Sequence, residues 1–194
     1  MPPNPQNTFS PFGGLTDATG RLLVTEESNK YAYRAVCVTQ TLYSTAAAVL
    51  FEMTGSATMT IRIKKILMWA QAATKFFAEL TLGRATAISA SGGQAAMTAG
   101  KMDKNFPSAT ATVQNYTAAA VAGAGFTAFD GRIVGCAAPS ASMIAQPAEW
   151  DWCLNNDSPL ILRGTGDVIE IMNNTLTLGT GTYGCMVEWE EDNS

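Results

Sequence analysis

From Tyr31 to the end of the chain, apolar and polar residues alternate in short runs separated by Gly, Asn, Asp and Ser. Side chains of a strand switch faces at every residue, so this spacing predicts half-buried strands of an antiparallel sandwich. The run YAYRAVCVTQT puts Tyr31, Tyr33, Ala35 and Cys37 on one face and Arg34, Val36 and Val38 on the other. AAAVLFEMTG predicts a second strand ending at Gly55. In ATMTIRIKKILMWAQ, Ile61 and Ile63 face inward against Arg62 and Lys64, and Ile66 and Met68 resume the apolar face one residue out of phase. A single inserted residue shifts a period of two, so the slip at Lys64 and Lys65 predicts a β-bulge.

TKFFAELTLG continues as a strand, with Phe76, Ala78, Leu80 and Leu82 opposite Phe77 and Glu79. Its β-branched neighbours and the terminating Gly83 favour strand over helix. Residues 84–107 lose all periodicity and predict a long loop with one helical turn near Ala95 to Met97. Loops beyond about 15 residues usually carry contacts, which makes this one a candidate partner surface. SATATVQNYTA and RIVGCAAP predict two further strands, joined by the Gly/Ala-rich VAGAGFTAFDG. Trp150, Trp152 and Leu154 then share a face, Asn155 to Ser158 turn, Leu160 and Leu162 resume, and Gly164-Thr165-Gly166 breaks the run before VIEIM. TYGCMVEWEE closes the chain with Tyr183, Cys185, Val187 and Trp189 on one face. About eight to ten strands, with no helix beyond a turn or two, predict an all-β, jelly-roll-like antiparallel β-sandwich rather than an immunoglobulin-sized one.

Residues 1–30 differ from the sandwich domain expected over 31–194. Pro2, Pro3, Pro5 and Pro11 forbid regular structure, and Gly13, Gly14 and Gly20 loosen it, leaving an extended N-terminal arm. Its apolar points Phe9, Phe12, Leu15, Leu22, Leu23 and Val24 are the candidate partner contacts. They are too many for a pure linker and too few for a core, which leaves an arm lying on a partner and a disordered tail as the two alternatives. The N-terminus has no basic and apolar leader, and no run of about 18 apolar residues occurs, so neither secretion nor membrane spanning is expected.

Composition then narrows the function classes. Charged residues are only 14 % and the net charge is −4, which suits a surface largely covered by neighbours. Beyond Lys64 and Lys65 nothing clusters basic residues, so direct nucleic-acid binding is not expected. The chain contains no histidine, which removes Ser–His and Cys–His nucleophile pairs, imidazole metal ligands and a near-neutral proton shuttle. No phosphate-loop, dinucleotide, zinc-protease or calcium-loop motif is present. A non-enzymatic protein without cofactor or metal is therefore expected. Arg163-Gly164-Thr165-Gly166-Asp167 lies between two strands and reads as a turn, not as an anion cradle opening a helix. Asp151, Asp157, Asp167 and Glu170 as a carboxylate cluster stand against the preferred reading of scattered, solvated turn residues. Trp150 and Trp152 as a sugar-stacking pair stand against core packing, which their shared face with Leu154 favours. The cysteines Cys37, Cys136, Cys153 and Cys185 show no CxxC spacing and read as small buried hydrophobes in a reducing compartment. A disulfide would need the fold to bring two of them face to face.

Three blocks, VLFEMTGSATMTIRIKKILM, EWDWCLNNDSPLILRGTGDVIEIMNN and YGCMVEWEED, resemble a class of small tailed-bacteriophage virion proteins. The resemblance spans residues 46–190 and implies a jelly-roll-like subunit that decorates or cements a capsid, commonly as a trimer. It implies the major capsid protein and further copies of the chain as partners. It also implies assembly onto the capsid surface of the virion after synthesis in the host cytoplasm. The alternative is a tail- or fibre-associated receptor-binding module that recognises glycans through loop aromatics.

Overall fold

In the computed structural model the described residues are 30–42, 48–72, 76–136, 146–153, 158–174 and 181–192. Among them are twelve strands and no helix: β1 (Tyr31–Leu42), β2 (Ala48–Thr54), β3 (Thr60–Ala72), β4 (Phe76–Ala85), β5 (Gln94–Ala96), β6 (Ala99–Lys101), β7 (Thr112–Ala120), β8 (Thr127–Cys136), β9 (Ala148–Asp151), β10 (Leu160–Arg163), β11 (Val168–Asn173) and β12 (Gly181–Asp192). They form two six-stranded antiparallel sheets. The first runs β10-β3-β12-β1-β6, with β9 also on β3, and the second runs β5-β7-β2-β11-β4-β8. The first four strands alternate between the sheets and are matched by the later ones: β1 with β12, β2 with β11, β3 with β10, and β4 with β8.

The alternation in the sequence sets which side chains line the interior. Tyr33, Ala35 and Cys37 of β1, Tyr183, Cys185, Val187 and Trp189 of β12, and Ala78, Leu80 and Leu82 of β4 are all buried in one core. Tyr33 stacks on Trp189 with ring centroids 5.6 Å apart. The Tyr183 hydroxyl crosses the sandwich and donates to the Leu50 carbonyl at 2.6 Å. A buried carboxylate, Glu191, accepts from the Thr110 and Ala111 amides at 3.0 Å and from the Trp189 indole N–H at 3.0 Å, tying the end of β12 to the segment leading into β7.

The expected bulge is present. Lys65 opposes Glu188 and Ile63 opposes Trp189, which leaves Lys64 as the extra residue of β3. Ile61 and Ile63 before it and Ile66 and Met68 after it are consequently all buried. The same residue divides the other edge of β3: β10 pairs Thr60 to Ile63 and β9 pairs Lys65 to Met68. The Trp152 amide donates to the Lys64 carbonyl at 2.9 Å in the gap.

Four expectations are corrected. Residues 84–107 are not one loop, because Arg84 and Ala85 end β4 and two short strands follow. Ala95 to Met97 make no helical turn: Gln94–Ala96 pairs with β7, and the Met97 amide donates to the Val113 carbonyl at 2.8 Å. Two residues later the chain crosses to the first sheet, where β6 pairs with β1. Strands of three residues are too short to show a period, and their partners lie far away in sequence. Finally, β8 begins at Thr127, inside the Gly/Ala-rich text, with Phe129 as an extra residue between the positions opposite Gly83 and Leu82. The count rises above ten because β5, β6 and β9 have only three or four residues each.

Gly184 faces Trp69 across β12 and β3, and a Cβ there would lie 2.4 Å from the indole ring. Gly184→Ala must push the indole off the sheet and is expected to cost about 2 kcal/mol. Urea unfolding of the variant measures it, and a loss near zero would mean that the indole has somewhere else to lie.

Candidate functional site

The outer face of the first sheet is divided along its strands. One half is charged and internally paired: Arg34 with Glu188, Lys64 with Glu190, Arg62 with Asp192 at 2.5 Å, and Lys65 with Glu149 and, at 3.4 Å, Asp151. Arg34, Arg62, Lys64 and Lys65 each have a carboxylate partner. The other half is apolar. Val36, Met186 and Leu67 lie directly opposite one another across β1, β12 and β3. Val38 on β1 and Trp69 over Gly184 extend the strip. Val36 is 48 % and Val38 61 % exposed, a cost in water unless something covers them.

The outer face of the second sheet is closed at its centre. Val49, Tyr116, Ala120 and Met172 form a small second core there, with Ala122 and Phe126 against it. Beneath this cover Glu52 of β2 and Glu170 of β11 stand directly opposite each other, and both are fully buried. Glu52 accepts from the Gln114 side-chain amide at 2.6 Å, the Tyr116 hydroxyl at 2.6 Å and the Ser89 backbone N–H at 2.9 Å. Glu170 accepts from the Gly123 amide at 2.9 Å. A Cβ at residue 123 would lie 2.0 Å from the Ala87 carbonyl oxygen, so only glycine lets this amide approach.

No Lys or Arg among the described residues forms an ion pair with either carboxylate. Burial pushes Glu170 up to about 7; the Gly123 N–H opposes this, and the charge of Glu52 and a hydrogen bond with it add to the rise. Tyr116 is held well above its ordinary range, by burial first and then by its bond to Glu52, so it remains a phenol donor. Cavities of 520 and 400 Å³ border the covering segment, and none of their lining residues is titratable.

The carboxylates considered together in the sequence do not assemble. Asp151 pairs with Lys65, Asp167 pairs with Arg84, Glu170 joins Glu52, and Asp157 lies outside the described residues. No group of three His, Cys, Asp or Glu side chains among the described residues is placed to hold a metal ion. Residues 163–167 form a turn, with Gly164 at φ 76° and the Asp167 amide donating to the Gly164 carbonyl at 3.3 Å. Trp150 is buried and Trp152 packs on the core, while Leu154 lies outside the described residues. The arm with Phe9, Phe12, Leu15, Leu22, Leu23 and Val24 also lies outside them. Sequence reasoning passed over Glu52. The available signal was its position inside VLFEMT, as Glu170 sits inside VIEIM: one carboxylate in an otherwise apolar strand.

Fold and faces together define an all-β, two-sheet antiparallel sandwich with an apolar strip on one outer face. No helix among the described residues is long and apolar enough to cross a membrane. No protein-family model, curated protein or solved structure matches the chain.

Proposed function

We propose that this chain is a non-enzymatic structural subunit of a bacteriophage particle, decorating the outer capsid surface and bridging major capsid protein subunits. The observation that carries the reading is the strip Val36, Val38, Met186, Leu67 and Trp69 beside a set of ion pairs that neutralise themselves. An apolar strip flanked by satisfied charges suits contact with another protein surface. A second copy is the occupant we assign to it, since closed symmetry covers such a strip without open-ended growth. The orders β1-β12-β3-β10 and β2-β11-β4-β8 support a jelly-roll-like arrangement, one used by viral capsid domains. The sequence blocks that resemble phage virion proteins point the same way. Trp150 is buried and Trp152 packs on the core, which leaves the glycan-binding alternative without its stacking pair.

In this reading the arm, through Phe9, Phe12 and Leu15, docks on the capsid protein, and the sandwiches meet around a threefold axis. A subunit bridging neighbouring capsomers adds interface that is lost only if the shell opens, and so stabilises it. Light scattering of the purified chain and co-sedimentation with empty shells test this. A trimer that binds shells is expected, with Val36→Asp lowering the oligomer mass and deletion of residues 1–25 removing only shell binding. A species that ignores shells overturns the capsid reading, and retained binding after the deletion overturns the role of the arm.

A further inference from the structure

Cys37 and Cys185 occupy directly opposed positions on β1 and β12. Their sulfurs lie 3.1 Å apart in the core, and both are free thiols. We propose that this pair is an oxidation site, converted by a peroxide into an intramolecular disulfide that staples the first strand of the sandwich to the last.

Opposed residues of antiparallel strands have Cα atoms about 4.5–5.5 Å apart, inside the range that disulfides span. Closure requires the sulfurs to approach by only about 1 Å, within reach of small side-chain rotations. The backbone next to the site also departs from a regular ladder. The register passes from Cys37 opposite Cys185 to Gln40 opposite Tyr183, leaving Val38 and Thr39 as a bulge with Thr39 at φ 61°. Among the described residues β6 covers β1 only from Tyr33 to Ala35, so Cys37 sits just past the end of that edge strand. It is 7 % exposed and Cys185 fully buried, which makes Cys37 the sulfur a small oxidant meets first.

The acidities agree with that order. The hydrogen bond from Cys185 holds the Cys37 thiol below its ordinary value against the effect of burial, and the same bond together with burial raises Cys185. The Cys37 thiolate attacks one oxygen of the peroxide. The O–O bond breaks, Cys37 becomes a sulfenic acid, and the other oxygen leaves as water after taking up a proton. The Cys185 sulfur, losing its proton, then attacks the Cys37 sulfur and expels the second oxygen as water. Two thiols are oxidised by two electrons, and hydrogen peroxide is reduced to two waters. This step needs no partner and so stands apart from the capsid reading. A dithiol in the reducing cytosol and a staple outside it is the behaviour expected of such a pair.

The test uses the full chain with Cys136→Ser and Cys153→Ser, reduced, desalted and treated with stoichiometric hydrogen peroxide. Peptide mapping without reductant is expected to find Cys37 linked to Cys185, with both thiols lost and the mass lower by two hydrogen atoms. The oxidised protein should melt roughly 10 °C above the same sample after reduction, since a loop this long is constrained in the unfolded state. With Cys185→Ala added, the Cys37 sulfenic acid should persist and be trapped by dimedone. Free thiols, sulfinic acids at the two positions, or a link between two chains would overturn the proposal. The unsubstituted chain gives the same peptide map if either background variant fails to fold.

Discussion

Replacing Glu52 by Ala is expected to lower the unfolding free energy by about 4 kcal/mol, because three buried donors lose their acceptor together. The Gln114 amide, the Tyr116 hydroxyl and the Ser89 N–H all point at this carboxylate, and Glu52 is fully buried. Relief of repulsion with Glu170 returns part of the loss, which keeps the expected figure below the sum of three unsatisfied groups. Glu52→Gln retains one acceptor oxygen and should lose roughly half as much. Urea unfolding at neutral pH, with an unchanged slope, measures both variants. A loss under about 1 kcal/mol for the Ala variant would mean that the three donors find other partners or solvent.

Stability should fall as the pH rises from mildly acidic to neutral, opposite to the usual effect of a paired surface carboxylate. The folded state holds the Glu170 proton up to about 7, against an ordinary value of 4.5. A raised carboxyl favours the folded state fully below the ordinary value, loses that contribution progressively between 4.5 and about 7, and contributes nothing further above it. The span corresponds to about 3 kcal/mol for a group buried to this degree. Burial is the main cause and the facing Glu52 adds to it, while the Gly123 amide works against both. Glu170→Gln keeps the shape and removes the charge, so its stability should be level across the window and exceed that of the parent near pH 8. Urea midpoints at several pH values between about 5 and 8 decide the matter. A parent curve that is flat, or a Gln variant that keeps the slope, would remove Glu170 as the titrating group.

These predictions rest on a part of the molecule that alternation alone could not reveal. β2 and β11 are buried on both faces, yet each carries a carboxylate in the middle. A window of six residues shows an apolar run interrupted by one charge, which is equally consistent with an exposed face. Burial of the outer face depends on segments around Ser89 and Gly123, which come from distant parts of the chain. The arm expected to carry partner contacts stands apart from this comparison, since its residues lie outside the described ones.

The sequence by itself determined the all-β class, the inward faces of β1, β3, β4 and β12, the bulge at Lys64 and the turn at Gly164. Each of these follows from a period of two, a single inserted residue or a residue suited to positive φ, all of which act within a few positions along the chain. Only the tertiary structure decided that β5 and β6 belong to different sheets, that Glu52 meets Glu170, and that Cys37 meets Cys185 from 148 residues away. Those contacts are selected by how two complete sheets and their covering segments fit together. Their free energy belongs to the whole packing, and no local stretch of sequence contains it.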